Sequence, residues 1–236
     1  YRASTNDFGA FNYSMNGDWI MDLIGKKVWF LGDSITEGVG TSCAEARFSE
    51  VLKKNANLGE IRNYGISATR IARQQGLGEN ADFVDLNSFC ERFDQMEDGA
   101  DAIVVFGGTN DYGHGNAPFG SFEDRTMDTY CGALHYLMSG LITKYPTSTI
   151  VFLTPIHREN ENVPNESNHL PLKAYVDKVK ETAEYYSIPV LDLYATGGIY
   201  PDCPAQKEAL CPDGLHPNDA GNVVIAKRLQ AFLERF

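Results

Sequence analysis

The chain has 236 residues, of which 43% are hydrophobic and 22% are charged, and its formal net charge is −12. This composition is ordinary for a soluble globular protein and leaves room for a single domain with a substantial core. The acidic balance excludes nucleic acid as a partner, because phosphate contacts need clustered Lys and Arg. The sequence has no run of about 18 apolar residues, so we expect no membrane span.

The N-terminal residues 1–24 are polar and aromatic, with no clear period. We interpret them as an extension that packs over one domain, which covers residues 25–236. The sequence begins at Tyr1 and shows no charged-then-apolar leader. The compartment therefore stays open between the cytoplasm and secretion after leader removal, and so does the oligomeric state.

Short apolar runs predict five buried strands, over Lys27–Leu31, Ile61–Ile66, Ala102–Phe106, Thr149–Leu153 and Ile188–Leu193. Apolar residues at intervals of three and four predict helices over about 46–52, 124–145 and 172–186, and a last helix from about Asn218, a good N-cap. Residues 156–170 read as a polar loop. Continuous apolar strands alternating with helices indicate one α/β domain with a parallel sheet covered on both faces.

Ligands of such sheets bind beyond the carboxyl ends of the strands. Ser34 follows the first strand and Asn110 follows the third, where its amide can donate a hydrogen bond. Gly65 ends the second strand and has no side chain to block its N–H. The late loop with Asp213 and His216 reaches the same edge, and the spacing of three residues lets the carboxylate orient the imidazole. These residue types are those that acyl transfer needs.

Each of these residues, taken alone, has a simpler explanation. Ser34 fits a helix N-cap, Gly65 a turn glycine, Asn110 an Asx turn and His216 an exposed loop histidine. Their occurrence together, each at a strand end or opposite one, favours a catalytic interpretation.

Four sequence blocks carry a resemblance to a known family. They are Gly32–Thr36, Asn63–Gly65, Gly108–Asp111 and Asp213–His216, and they resemble the signature blocks of the SGNH (GDSL-type) hydrolases in the order of that family. The resemblance extends from about Lys27 to the C-terminus and leaves the extension outside. It implies a flavodoxin-like three-layer α/β/α sandwich with a five-stranded parallel sheet, and neither a metal nor an organic cofactor.

The resemblance also implies roles for individual residues. Ser34 would be the nucleophile, His216 the general base and Asp213 the residue that orients it. The backbone N–H groups of Ser34 and Gly65, with the side chain of Asn110, would form the oxyanion hole. Further residues near the strand ends are expected to line the substrate pocket, namely Asp33, Thr109, Tyr112, His114 and His157.

The implied activity is that of a serine hydrolase cleaving small acyl esters, a carbohydrate O-acetyl esterase or short-chain esterase. Its partner would be a small-molecule ester such as an acetylated carbohydrate. Two alternatives stay open: a thioesterase or lysophospholipase acting on longer acyl chains, and a non-catalytic carbohydrate- or lipid-binding module. The presence of both Ser34 and His216 argues against the second alternative.

The five cysteines argue against a disulfide framework or a zinc site, because their number is odd and no CxxC motif occurs. Cys203 and Cys211 either form one disulfide across a short loop or are unrelated thiols. The second alternative is favoured.

Overall fold

The computed structural model describes residues 11–13, 19–76, 78 and 81–236. Two short strands, β1 (Phe11–Tyr13) and β2 (Trp19–Met21), pair antiparallel ahead of the main sheet. Most of the predicted N-terminal extension, residues 1–10 and 14–18, lies outside the described residues. The packing of the extension over the domain therefore stays a prediction.

The main sheet has five parallel strands, β3 (Lys27–Gly32), β4 (Glu60–Gly65), β5 (Ala102–Phe106), β6 (Thr149–Leu153) and β7 (Val190–Leu191). Their spatial order is β4-β3-β5-β6-β7. Counted along the chain, this is the order second, first, third, fourth, fifth that flavodoxin-like sheets show. The predicted α/β fold class is confirmed.

The helices connect and follow these strands. They are α1 (Ser34–Glu37), α2 (Phe48–Ala56), α3 (Phe89–Arg92), α4 (Thr109–Gly113), α5 (Tyr130–Lys144), α6 (Leu172–Tyr185), α7 (Leu193–Thr196), α8 (Pro204–Leu210) and α9 (Asp219–Leu233), with short 3₁₀ turns at Ala44–Ala46 and Phe93–Gln95. Among the described residues, no helix has the length and apolar character needed to cross a membrane.

Alternate side chains of each strand point to opposite faces of the sheet and build two cores. On one face, Trp29, Ile103 and Phe152 pack with α3, α5 and α6. On the other face, Phe30 and Val104 pack with α1, α2 and α9. The strands β3, β5 and β6 are almost entirely apolar because both faces of the sheet are covered there, which is why they read as continuous apolar runs in the sequence. The edge strand β4 is only partly buried and carries Arg62 and Asn63.

Several predicted boundaries differ from the structure, and for two of them a side-chain hydrogen bond explains the difference. The helix predicted from residue 124 begins at Tyr130, because Thr129 caps it through the N–H of Gly132. The Asp124 carboxylate accepts from the Thr129 hydroxyl and holds the preceding residues in a turn. The fifth strand ends at Leu191, since the carboxylate of the next residue caps α7. The predicted N-cap at Asn218 is confirmed.

Cys203 and Cys211 are free thiols in the structure. They flank the two ends of α8, a helix of 7 residues. At about 1.5 Å of rise per residue, the helix separates their Cα atoms by about 12 Å, whereas a disulfide needs about 4.4–6.8 Å. The alternative of unrelated thiols therefore fits the fold.

Candidate functional site

Ser34 lies at a sharp turn between β3 and α1, where the chain reverses at the carboxyl edge of the sheet. The Asp33 carboxylate caps the helix by accepting from the N–H of Ile35 at 3.0 Å. Gly32 is required at this turn, because a Cβ there would lie 1.9 Å from Oγ1 of Thr36. The turn thus fixes the Ser34 side chain, which is 6% exposed, at the end of the strand.

The late loop brings an imidazole and a carboxylate to Ser34. The Nε2 atom of His216 lies 2.9 Å from Ser34 Oγ, and its Nδ1 atom lies 2.7 Å from Asp213 Oδ2. Asp213 Oδ1 also accepts from the backbone N–H groups of His216 and Leu215. With a proton on Nδ1 held by the carboxylate, Nε2 is the acceptor that faces the serine hydroxyl.

Asp213 keeps its charge in this arrangement. Partial burial acts to raise the pKa of its carboxyl group, but the hydrogen bonds from the backbone and ring of His216 outweigh burial and lower that pKa below its usual range. A charged carboxylate beside Nδ1 stabilises a positive charge on the imidazole. The three side chains therefore form a hydrogen-bonded chain from a hydroxyl to an anion.

Asn110 lies at the start of α4, directly beyond β5, and is 4% exposed. Its Nδ2 atom donates to the carbonyl of Thr69 at 3.1 Å, which fixes the amide and leaves its second hydrogen for another acceptor. The N–H of Gly65, expected to be an oxyanion donor, already donates to Asn63 Oδ1 at 2.8 Å. A Cβ on Gly65 would lie 2.2 Å from the backbone nitrogen of Glu37. The structure therefore supports Gly65 as a packing residue and not as an oxyanion donor.

Ala68 is a residue that the sequence reasoning missed. Its φ of 62° places a residue with a Cβ in the left-handed region, which such residues adopt rarely, and strained backbone of this kind clusters at functional sites. Ser67, just before it, donates to the Glu37 carboxylate at the end of α1, and Thr69, just after it, accepts from Asn110. Within the described part of the chain, the N–H of Ala68 has no acceptor. The sequence does not predict this φ, because alanine is not a residue type that favours the left-handed region.

Arg92 joins the segments beneath this edge. Its guanidinium donates to the carbonyl oxygens of Gly32 and Tyr64, at the ends of two neighbouring strands, and to the hydroxyl of Thr69. The group stacks over the Phe89 ring at 4.9 Å and is 6% exposed. Burial lowers the pKa of Arg92 to about 10, so the group stays positively charged at neutral pH.

Two buried carboxyl groups lie in the same region. Burial raises the pKa of Asp33 to about 7, while the N–H of Ile35 and the charge of Arg92 act against this rise. Burial also raises the pKa of Asp111 to about 6, against hydrogen bonds from the backbone N–H groups of Ala72 and Ile71. Asp33 is 1% exposed, so it lies inside the turn and does not line the expected pocket.

Of the four other residues expected to line the substrate pocket, two line a cavity and two do not. Tyr112 and His114 line a cavity of about 470 Å³ beside α4. Thr109 is buried beneath this cavity. His157 is not among the lining residues described; its ring lies against that of Tyr194, with ring centroids 3.9 Å apart. In the described residues, no cluster of three His, Cys, Asp or Glu side chains is arranged to hold a metal ion.

Comparison with known proteins places this chain among hydrolases. The model of the GDSL-like Lipase/Acylhydrolase family matches residues 30–224. No curated protein sequence matches the chain. A crystal structure of a protein from Lactobacillus plantarum is 33% identical, with a TM-score of 0.77, and the match covers 89% of this chain and 97% of that one. The lipase/acylhydrolase from Enterococcus faecalis shares the fold at 19% identity, with a TM-score of 0.62 over 89% of this chain and 95% of that one.

The raised pKa of Asp33 predicts a pH-dependent stability difference between the wild type and Asp33→Asn. Asn keeps the capping oxygen but removes the charge. The pKa of Asp33 is about 7 in the folded chain and 3.8 for an ordinary Asp in the unfolded chain, so the folded wild type holds an extra proton between these pH values. Stability from this proton is complete below about pH 4 and is lost as the pH rises through about 7.

Urea unfolding of both proteins at about pH 4, 5.5 and 8 measures this difference. The free energy of unfolding of wild type minus that of Asp33→Asn should fall by on the order of 2–4 kcal/mol over this range. A difference that stays constant with pH would contradict a buried, protonated Asp33.

Proposed function

Because the chain belongs to the GDSL-like Lipase/Acylhydrolase family of serine hydrolases that act on esters, we propose that Ser34, His216 and Asp213 are its catalytic triad. The observation that carries the proposal is the pair of contacts at His216, 2.9 Å to the Ser34 hydroxyl and 2.7 Å to the Asp213 carboxylate. Both fall within the range over which a base takes a proton from a nucleophile and is oriented by a third group.

The proposed reaction has two steps. Ser34 Oγ attacks the ester carbonyl carbon while His216 Nε2 takes the hydroxyl proton, and the tetrahedral oxyanion then collapses. The alcohol leaves with the proton from Nε2, which gives an acyl-serine. Water, deprotonated by the same nitrogen, attacks this second ester, and the carboxylic acid product leaves as Ser34 regains its proton. Asp213 stabilises the imidazolium in both steps and keeps its own negative charge.

Three donors are proposed to hold the oxyanion: the N–H of Ser34, the free hydrogen of Asn110 Nδ2 and the N–H of Ala68, which replaces that of Gly65. Ala68 is supported by its unpaired N–H, within the described residues, and by its place between the end of α1 and Asn110. The N–H of Gly65 already has an acceptor in Asn63. Donors fixed before the reaction stabilise developing charge without reorganisation.

The proposed substrates are esters of short acyl groups, with acetylated carbohydrates as the preferred class. The lining of the neighbouring cavity supports this choice, because among the described residues Val163 and Pro164 are its only aliphatic side chains and the remaining side chains are polar, charged or aromatic. A long acyl chain gains its binding energy from burial against continuous apolar walls, and the described part of this cavity offers little such surface.

Hydrolysis of p-nitrophenyl acetate, butyrate and octanoate tests this proposal. We expect the acetate to be cleaved with the highest kcat/KM, and Ser34→Ala to lose a factor on the order of 10⁴ or more in kcat. His216→Ala should lose a similar factor, and the double variant should lose little more, because the two residues act as one unit.

Two outcomes of this assay would contradict the proposal. A preference for octanoate would favour the thioesterase or lysophospholipase alternative. Equal rates for wild type and Ser34→Ala would remove Ser34 from the reaction and favour a binding module.

Replacement of Asn110 tests the oxyanion assignment separately. Asn110→Ala should lower kcat by about 10²–10³, the usual loss for one oxyanion donor, with a smaller change in KM. Asn116→Ala is a matched control, because Asn116 lies on the same connection but bonds to Gln74 and Gln75, away from Thr69. Full activity of Asn110→Ala on p-nitrophenyl acetate would show that the assignment is wrong.

A further inference from the structure

The cavity beside α4 is formed by hydrogen bonds between two loop segments. The Tyr112 hydroxyl donates to the carbonyl oxygens of Asn160 and Val163, and the Ser167 hydroxyl donates to the carbonyl of Gly115. These bonds hold residues 158–167 against the end of α4, where they line an open cavity of about 470 Å³. A cavity of this size accommodates a small ligand group.

Arg158 is the only Lys or Arg among the described residues that line this cavity. Its Nη1 atom donates to the carbonyl and hydroxyl oxygens of Thr109, both at 3.2 Å. Its Nε atom is buried without an acceptor, and no carboxylate of the described residues lies within ion-pairing distance of the guanidinium. A guanidinium carries five N–H donors, and within the described residues the two on Nη2 of Arg158 have no acceptor, so they stay available to a ligand.

The backbone on either side of Arg158 connects this cavity to the proposed reaction centre. Thr109, which Arg158 contacts, directly precedes Asn110. The N–H of Glu159 donates to the carbonyl of Gly214 at 2.9 Å, within the loop that carries the triad acid and base. Arg158 therefore lies beside the segments that carry Asn110 and His216, so an ester bound at Ser34 can extend toward its guanidinium.

Among the described lining residues, Arg158 is the one positively charged group, beside the carboxylates of Glu159 and Glu166 and the imidazole of His114. Glu159 is paired with Lys207 at 2.6 Å, and Glu166 is exposed to solvent. Desolvation by the surrounding protein and the positive charges of Arg70 and Arg158 lower the pKa of His114, so its imidazole is neutral at neutral pH. Burial also lowers the pKa of Arg158, but a guanidinium stays protonated.

We infer that Arg158 binds an anionic group of the substrate, so that the preferred esters carry a carboxylate on their acyl or alcohol part. This inference rests on the proposed function and narrows its substrate class. A planar guanidinium matches a carboxylate with two parallel hydrogen bonds, and partial desolvation strengthens the attraction relative to bulk water. The net charge of −12 repels anions at long range, so selection depends on this local contact.

Paired substrates test the inference, with one member of each pair carrying a carboxylate. For the acyl part, mono-p-nitrophenyl glutarate is compared with p-nitrophenyl pentanoate, which has a methyl group in place of the carboxylate. For the alcohol part, 4-acetoxybenzoate is compared with 4-methylphenyl acetate. The measured quantity is the ratio of kcat/KM, anionic over neutral, within each pair. This ratio is independent of the fraction of folded enzyme, because both substrates meet the same sample.

The ratio is measured for wild type, Arg158→Met, Arg158→Lys and a control, Arg125→Met. Arg125 is a surface arginine that contacts Phe122 and does not line the cavity. In one of the two pairs, Arg158→Met should lower the ratio by about 10- to 100-fold, since hydrogen bonds to charged groups contribute about 1.5–3 kcal/mol. Arg158→Lys should retain part of the preference, and Arg125→Met should retain all of it.

An unchanged ratio in both pairs on Arg158→Met would overturn the inference. If the neutral esters are cleaved by wild type and not by Ser34→Ala, that result leaves the proposed function standing and removes the anionic specificity alone. If wild type and Ser34→Ala are alike on all four esters, the proposed function fails, and the inference fails with it.

Discussion

The register of the parallel sheet is the constraint on which the site depends. Gly32, the last residue of β3, pairs with Gly65 of β4 on one side and Phe106 of β5 on the other. The three strands therefore end at one level, and the segments that follow them begin side by side. A shift of one residue would turn every side chain of a strand to the opposite face, so the two apolar cores that fix the register also fix the relative positions of Ser34 and Asn110.

Charge is concentrated beneath this edge at an energetic cost. Asp33 and Asp111 are buried carboxyl groups whose raised pKa values show that the fold disfavours their ionised forms, and the guanidinium of Arg92 is buried among them. Each group also satisfies backbone atoms that regular structure leaves unpaired: Asp111 accepts from Ile71 and Ala72, and Arg92 donates to strand-end carbonyls. Side chains thus replace the missing backbone partners where the strands end, because an unpaired buried backbone group is itself costly.

The sequence was sufficient for much of this architecture, since buried strands are recognisable as apolar runs and the polar residues beyond them mark the site. Features that depend on tertiary contacts were not predictable. Whether the N–H of Gly65 has an acceptor depends on the rotamer of Asn63. Whether the N–H of Ala68 lacks one depends on a left-handed φ, which the sequence does not indicate at an alanine. Arg158 meets Thr109 across 49 positions of sequence, so nothing in its local pattern distinguishes it from a surface arginine.

Covalent labelling tests whether Ser34 is a nucleophile activated by His216. The protein is incubated with a fluorophosphonate at neutral pH, and the modified peptide is identified by mass spectrometry. We expect a single adduct on Ser34 in the wild type and its strong suppression in His216→Ala, because a serine hydroxyl without its base is a weak nucleophile. An unmodified Ser34, or an equal rate of labelling in His216→Ala, would contradict this activation.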